Sequence, residues 1–176
     1  MNRENFSEIK TNNNSDHTTY YALAASTTGD KVKIYKYAFE RINNEYRHRI
    51  FTTSDPIDKA IIGYEWAEFI LANLPHYSAD RSSLYDKAKR IFIHSFSEAQ
   101  EAKYVAKIDL QDAIRQLSDL QKHEYSQSCG IQYKLYQTIG HVKRCRKQYD
   151  NIMAKCPDTL FAKMQKRAEE FEHHFS

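Results

Sequence analysis

The chain has 176 residues, of which 41% are hydrophobic and 28% charged, with only 4 Gly and 3 Pro and a formal net charge of +3. So few breakers exclude an all-β sandwich or barrel, which needs a turn every ~8–12 residues, and the sequence contains no glycine-rich nucleotide loop. Mean hydropathy is −0.77, and no run reaches the ~18 apolar residues of a membrane span.

Residues 1–29 read as a flexible tail. Thr11-Asn12-Asn13-Asn14-Ser15-Asp16 is polar and aperiodic, and buries too little to offset the entropy of ordering. Tyr20-Tyr21-Ala22-Leu23-Ala24-Ala25 is stickier, suited to docking on the body or on a partner, but too short for a signal-peptide core. A cytoplasmic location is expected.

Residues 30–176 read as one helical-bundle domain. A first helix is expected from about Asp30, with Val32, Tyr35, Phe39, Ile42 and Tyr46 on one stripe and Asn43-Asn44 as a weak spot. Thr52-Thr53-Ser54 is the break. Asp55-Pro56 then starts a second helix, because Asp caps free N–H groups and Pro at the first helical position loses no bond. Ile57, Ile61, Tyr64, Leu71 and Leu74 form its stripe, and Pro75 stops it. Ser83-x-x-Asp86 resembles a capping box. The helix it opens either runs on to about His123 or bends near Ser95-Phe96-Ser97, so that a separate helix starts near Glu98.

A loop is expected over Ser126-Gln127-Ser128 with Gly130. After it, Ile131, Leu135, Thr138, Val142, Cys145, Tyr149, Ile152 and Cys156 repeat at alternating spacings of four and three. That is a heptad seam, suited to a bundle or an oligomer contact. Pro157 ends it, and a last helix carries Phe161, Met164, Ala168, Phe171 and Phe175. The fold class is all-α: an up-and-down antiparallel helical bundle with a four-helix core and extra flanking helices. Its four central helices start near Asp55, Ser83, Glu98 and Ile131. If Ser83 to His123 is one helix, the N-terminal helix completes the four instead.

Charge is uneven along the chain. Residues 31–50 carry 6 basic and 2 acidic residues, residues 51–80 carry 1 and 5, and residues 134–155 carry 6 and 1. At ~100° per residue, the face opposite the seam gathers Tyr133, Tyr136, Gly140, Lys143, Arg144 and Lys147. Cations neutralise phosphates and tyrosine rings stack on bases, so the pattern suits nucleic acid. The plainer alternative is a solvated basic face with ordinary exposed tyrosines. Lys33, Lys36, Arg41, Arg47 and Arg49 make a second basic set, for which the solvated reading is favoured.

Enzyme signatures are lacking. There is no G-x-S-x-G elbow, and Cys145 follows His141 by four residues, which is helical proximity rather than a catalytic pair. Two Glu-x-x-His pairs, Glu45…His48 and Glu170…His173, match half of a di-iron set, with Glu65, Glu68, Glu98 or Glu101 to complete it. Both pairs flank apolar stripes instead of lying in them, so no metal site is expected. Cys129, Cys145 and Cys156 lack zinc-ligand spacing and read as free thiols. The expectation is a non-enzyme without cofactor.

Residues 64–153 also carry a family likeness. Leu74-Pro75 followed by Asp80-Arg81 and Leu84 is one part of it. Glu98-Ala99, Lys103-Tyr104, Leu110, Ala113, Leu117 and Leu120 are a second, and Gln132-Tyr133, Ile139-Gly140 and Arg144 a third. Together they resemble the four-helix-bundle family of the retroelement accessory variability determinant and the ribosomal RNA intervening-sequence protein. The chain departs from that family at Gln121-Lys122-His123-Glu124, where the family has Leu-Arg-Leu-Ala, and it lacks the closing Gly-Gly-Trp. The resemblance implies a basic, non-enzymatic bundle that binds structured RNA and a reverse transcriptase, and a homo-oligomer, pentameric in the accessory determinant. It points to Lys143, Arg144 and Lys147, with Arg146 and Lys134 nearby, as the contact residues.

Overall fold

The structure, a computed structural model, describes residues 31–74, 81–122 and 129–172, with side chains at 37–74, 81–122 and 130–171. The expected tail, the stop at Pro75 and His173 lie outside the described residues. Five helices follow in order: α1 (Lys31–Thr52), α2 (Pro56–Asn73), α3 (Arg81–Lys122), α4 (Cys129–Lys155) and α5 (Asp158–Glu172). The protein is all-α, a bundle of packed helices, with no strand among the described residues. The chain divides into two compact units, Met1–Glu45 and Tyr46–Ser176, the boundary falling inside α1. The described residues of the first unit belong to the single helix α1.

Asp55 caps α2 as the sequence predicts. Its carboxylate accepts the Ile57 N–H at 2.9 Å, and Pro56 opens the helix. α2 is the most apolar element, burying Ile57, Ala60, Ile62, Trp66, Ala67, Phe69 and Ile70. The end of α1 lies on it, with the Tyr46 and Phe69 rings 5.7 Å apart and Arg49 beside Glu65 at 3.7 Å.

The open question over residues 83–123 resolves into one 42-residue helix, about 63 Å long at 1.5 Å per residue. Neither Gly nor Pro occurs between Arg81 and Lys122, so nothing forces a break. No separate helix starts at Glu98. Ser95 is buried where the bend was considered, because α2 passes close by: a Cβ on Gly63 would collide with the Ser95 hydroxyl. Gly63 is therefore a packing glycine.

α3 is the spine. α2 and α5 pack on its first half and α4 on its second. Tyr64, Phe92, Phe171 and Tyr85 form a ring chain with neighbouring centroids 5.4–5.5 Å apart. Phe96 meets Phe161 at 5.3 Å. The last helix, expected as a flanking one, is thus core: Met164, Ala168 and Phe171 are all buried. α4 and α5 run back along α3 as one path broken at Pro157. Lys103 of α3 spans the break, donating to the Cys156 carbonyl at 3.1 Å and to Asp158 at 2.9 Å, with its ammonium 4.6 Å from the Phe161 ring centre.

Candidate nucleic-acid interface

α4 begins at Cys129, so Gly130 is helical rather than part of the expected loop. It sits in the first turn with nothing within 4 Å of where a Cβ would stand, and there its low helix propensity disturbs little. The heptad seam, expected to serve a bundle or an oligomer contact, packs on α3, with burial graded along it. Cys145, Ile152 and Cys156 are buried, whereas Ile131, Leu135, Thr138 and Val142 are only half-buried. Leu110, Ala113 and Cys145 form a small core with Val142 and Tyr149 against it. Beyond that, α3 and α4 make a two-helix hairpin.

The large side chains on the face turned away from the seam are exposed, and Gly140 between them is half-buried. Tyr133 and Tyr136 are 64% and 79% exposed, and Lys143, Arg144 and Lys147 are all exposed. None of the three cations forms an ion pair with a described residue. Tyr133 to Lys147 spans about 21 Å of helix, so the tyrosines and the cations share one ridge. Lys134 and Arg146 are exposed too, but they sit on opposite shoulders of the seam, about 120° apart around the axis. The seven predicted residues therefore form a ridge of five with two outliers.

Several charges elsewhere are engaged, although Lys107 of α3 and Lys163 and Lys166 of α5 are also exposed without a described ion pair. On the second half of α3, Asp112 pairs with Arg115 at 3.4 Å and Asp119 with Lys122 at 3.1 Å. Lys155, at the far end of α4, bridges Asp55 at 2.7 Å and Asp58 at 2.6 Å. The hydrogen bond from Lys155 holds the Asp55 carboxyl below its ordinary range. Arg167 pairs with Glu68 at 2.9 Å and Glu170 at 3.0 Å. Burial and the neighbouring Glu68 push the Tyr64 hydroxyl up to about 12. In the second basic set, Arg49 is paired with Glu65, while the side chains of residues 33 and 36 lie outside the described ones.

Three of the carboxylates considered for iron are engaged: Glu65 with Arg49, Glu68 with Arg167, and Glu98 with His94 at 3.4 Å. Among the described residues no three His, Cys, Asp or Glu side chains cluster as metal ligands. Cys145 lies 3.7 Å from His141 Nδ1 on its own helix, a local i,i+4 contact. Burial raises the Cys156 thiol, which makes it less nucleophilic. An open cleft between α2 and α3 is lined by Trp66, Asp86, Lys87 and Arg90 among others. Lys87 stands 4.6 Å over the Trp66 ring, and burial lowers its pKa.

The sequence reading did not single out Tyr104, Val105 and Ile114 of α3, or Ile139 of α4, as exposed apolar side chains, yet all four are. Periodicity assigns a residue to a stripe, not to a stripe that a partner helix covers. The interhelical clasps of Lys103, Lys155 and Arg167 leave no local sequence signal either. Comparison with family models, curated proteins and solved structures finds no match for the chain.

Proposed function

We propose that the chain is a non-enzymatic accessory bundle that binds RNA through the outward ridge of α4. The observation that carries this reading is the set Lys143, Arg144 and Lys147, exposed, without carboxylate partners among the described residues, and sharing a face with exposed Tyr133 and Tyr136. Nucleic-acid affinity comes mainly from neutralised phosphates, and these three unpaired cations are grouped on one face beside the exposed tyrosines. Lys134 and Arg146 add positive field from the shoulders. The reading of a reverse transcriptase as protein partner, and of a homo-oligomer, rests on the family resemblance of residues 64–153. A cytoplasmic site of action and the lack of a cofactor belong to the same proposal.

Charge reversal at all three positions (K143E, R144E, K147E) abolishes RNA binding in a filter or anisotropy assay while far-UV circular dichroism stays unchanged. For the parent, three neutralised phosphates on a single strand give a slope of log K against log[salt] of about −2 from these residues alone. A triple variant that binds as well as the parent overturns the proposal.

A protein–protein adaptor is the second reading, favoured by the exposed Tyr104, Val105, Ile114 and Ile139 on the hairpin. It predicts no RNA affinity at physiological salt in the same assay.

A further inference from the structure

Gly140 lies on the outward ridge of α4, between Tyr136 and Lys143. Glycine inside a helix is destabilising relative to alanine, so its place needs a reason. At Gly63 the reason is packing, since a Cβ there would strike Ser95. At Gly140 packing supplies none: a Cβ would meet only the Arg144 guanidinium, at 3.6 Å, an ordinary contact. The fold tolerates a side chain there, and the helix would gain from one. Glycine in such a position leaves the backbone open to close approach by a ligand.

The flanks of this gap suit an extended ligand. Tyr133 and Tyr136 are three residues apart, about 60° around the axis, and both are more exposed than Ile139, the next large apolar side chain along the helix. On the other side stand Lys143, Arg144 and Lys147. Aromatic rings on an exposed helix can stack only on bases that are not already stacked in a duplex, whereas cations hold phosphates of any strand. A convex helix bearing flat rings does not read paired RNA, whose bases are closed to it.

Resting on the RNA-binding reading above, we propose that the ligand of this ridge is unpaired RNA. Two bases stack on Tyr133 and Tyr136, the sugar-phosphate chain crosses the helix at Gly140, where no side chain stands and the Arg144 guanidinium lies alongside, and the next phosphates bind Lys143, Arg144 and Lys147.

The test compares a fluorescently labelled 12-nucleotide oligouridine with a 12-base-pair RNA duplex by anisotropy, using the full chain at fixed salt. The parent binds the single strand at least tenfold more tightly. Replacing both tyrosines (Y133A, Y136A) lowers single-strand affinity by about 30-fold or more, the product of two lost base stacks, and leaves duplex affinity unchanged. The variants Y133F and Y136F retain binding. Gly140→Ala moves two readouts in opposite directions: the melting temperature rises by about 2 °C, and single-strand affinity falls. Equal affinity for both RNAs, no effect of the tyrosine pair, or a Gly140→Ala variant that binds normally overturns this inference while leaving RNA binding by the cations in place. A parent that binds neither probe overturns the RNA reading itself.

Discussion

The root of the second unit, where α2, α3 and α5 meet, is built differently from the hairpin of α3 and α4 beyond it. The root buries Phe92, Ile57, Ile70 and Met164 almost completely, and several of its charges pair across helices: Lys155 with Asp55 and Asp58, Arg167 with Glu68, Lys103 with Asp158. The hairpin has only two helices, so its seam residues stay half-exposed and its ion pairs are local to α3. Lys143, Arg144 and Lys147 stand exposed there without an ion-pair partner among the described residues. The most completely buried side chains therefore belong to the root, whereas the ridge proposed to bind RNA lies on the hairpin, where substitutions disturb little of the core.

The sharpest way to break that comparison is a matched pair of truncations. Phe92→Ala removes a ring packed between Tyr64 and Phe171 and costs about 3–5 kcal/mol. Leu117→Ala, at a half-buried hairpin position, costs about 1 kcal/mol, because much of its surface is already hydrated. Urea unfolding measures both. Equal losses would mean that the hairpin carries as much of the stability as the root.

Asp55 gives the next largest effect. Its carboxylate caps α2 and meets Lys155 from α4. Asp55→Ala costs about 1 kcal/mol for the cap, plus a smaller, solvent-screened amount for the ion pair. The sign with pH follows from the lowered folded pKa. The contribution is complete above the unfolded value of about 3.9 and is lost as pH falls through the folded one. The stability gap between parent and variant, measured by thermal melts, therefore closes under acid. A gap that persists at pH 2 would show that the effect lies in the backbone and not in the charge.

The same contrast explains what could be read from the residues alone. Asp55-Pro56, Pro157 and the four–three spacing on α4 are local signals, and each stands where it was expected. The division of residues 83–123 was not legible, because two serines around a phenylalanine neither continue nor end a helix by themselves. The structure carries one helix through this point, with Ser95 buried where Gly63 of α2 packs against it. Likewise Phe161, Met164 and Phe171 show a stripe in the sequence but not that the stripe is core; the ring contacts to Phe92 and Phe96 establish that. The outward ridge was legible because the heptad fixes its opposite face. That Lys134 and Arg146 stand off the ridge follows from the same geometry, applied residue by residue.

The smallest expected effect lies at alkaline pH and again belongs to the root. Tyr64 packs edge-on against Phe92 at 5.5 Å, and burial together with Glu68 raises its hydroxyl to about 12. An unfolded tyrosine titrates near 10. Between those values the folded chain keeps a proton that the unfolded chain has lost, so unfolding releases it and stability falls as pH rises from about 10 to about 12. Below 10 this group adds no slope. Tyr64 is only half-buried, so solvent screening keeps the effect small. Tyr64→Phe removes it, so the parent's melting temperature should fall relative to the variant's across that window, with a constant offset beneath it. An offset that is constant from pH 8 to 12 would mean that the Tyr64 hydroxyl is hydrated in the fold, and that the polar edge of the root is as open as the hairpin.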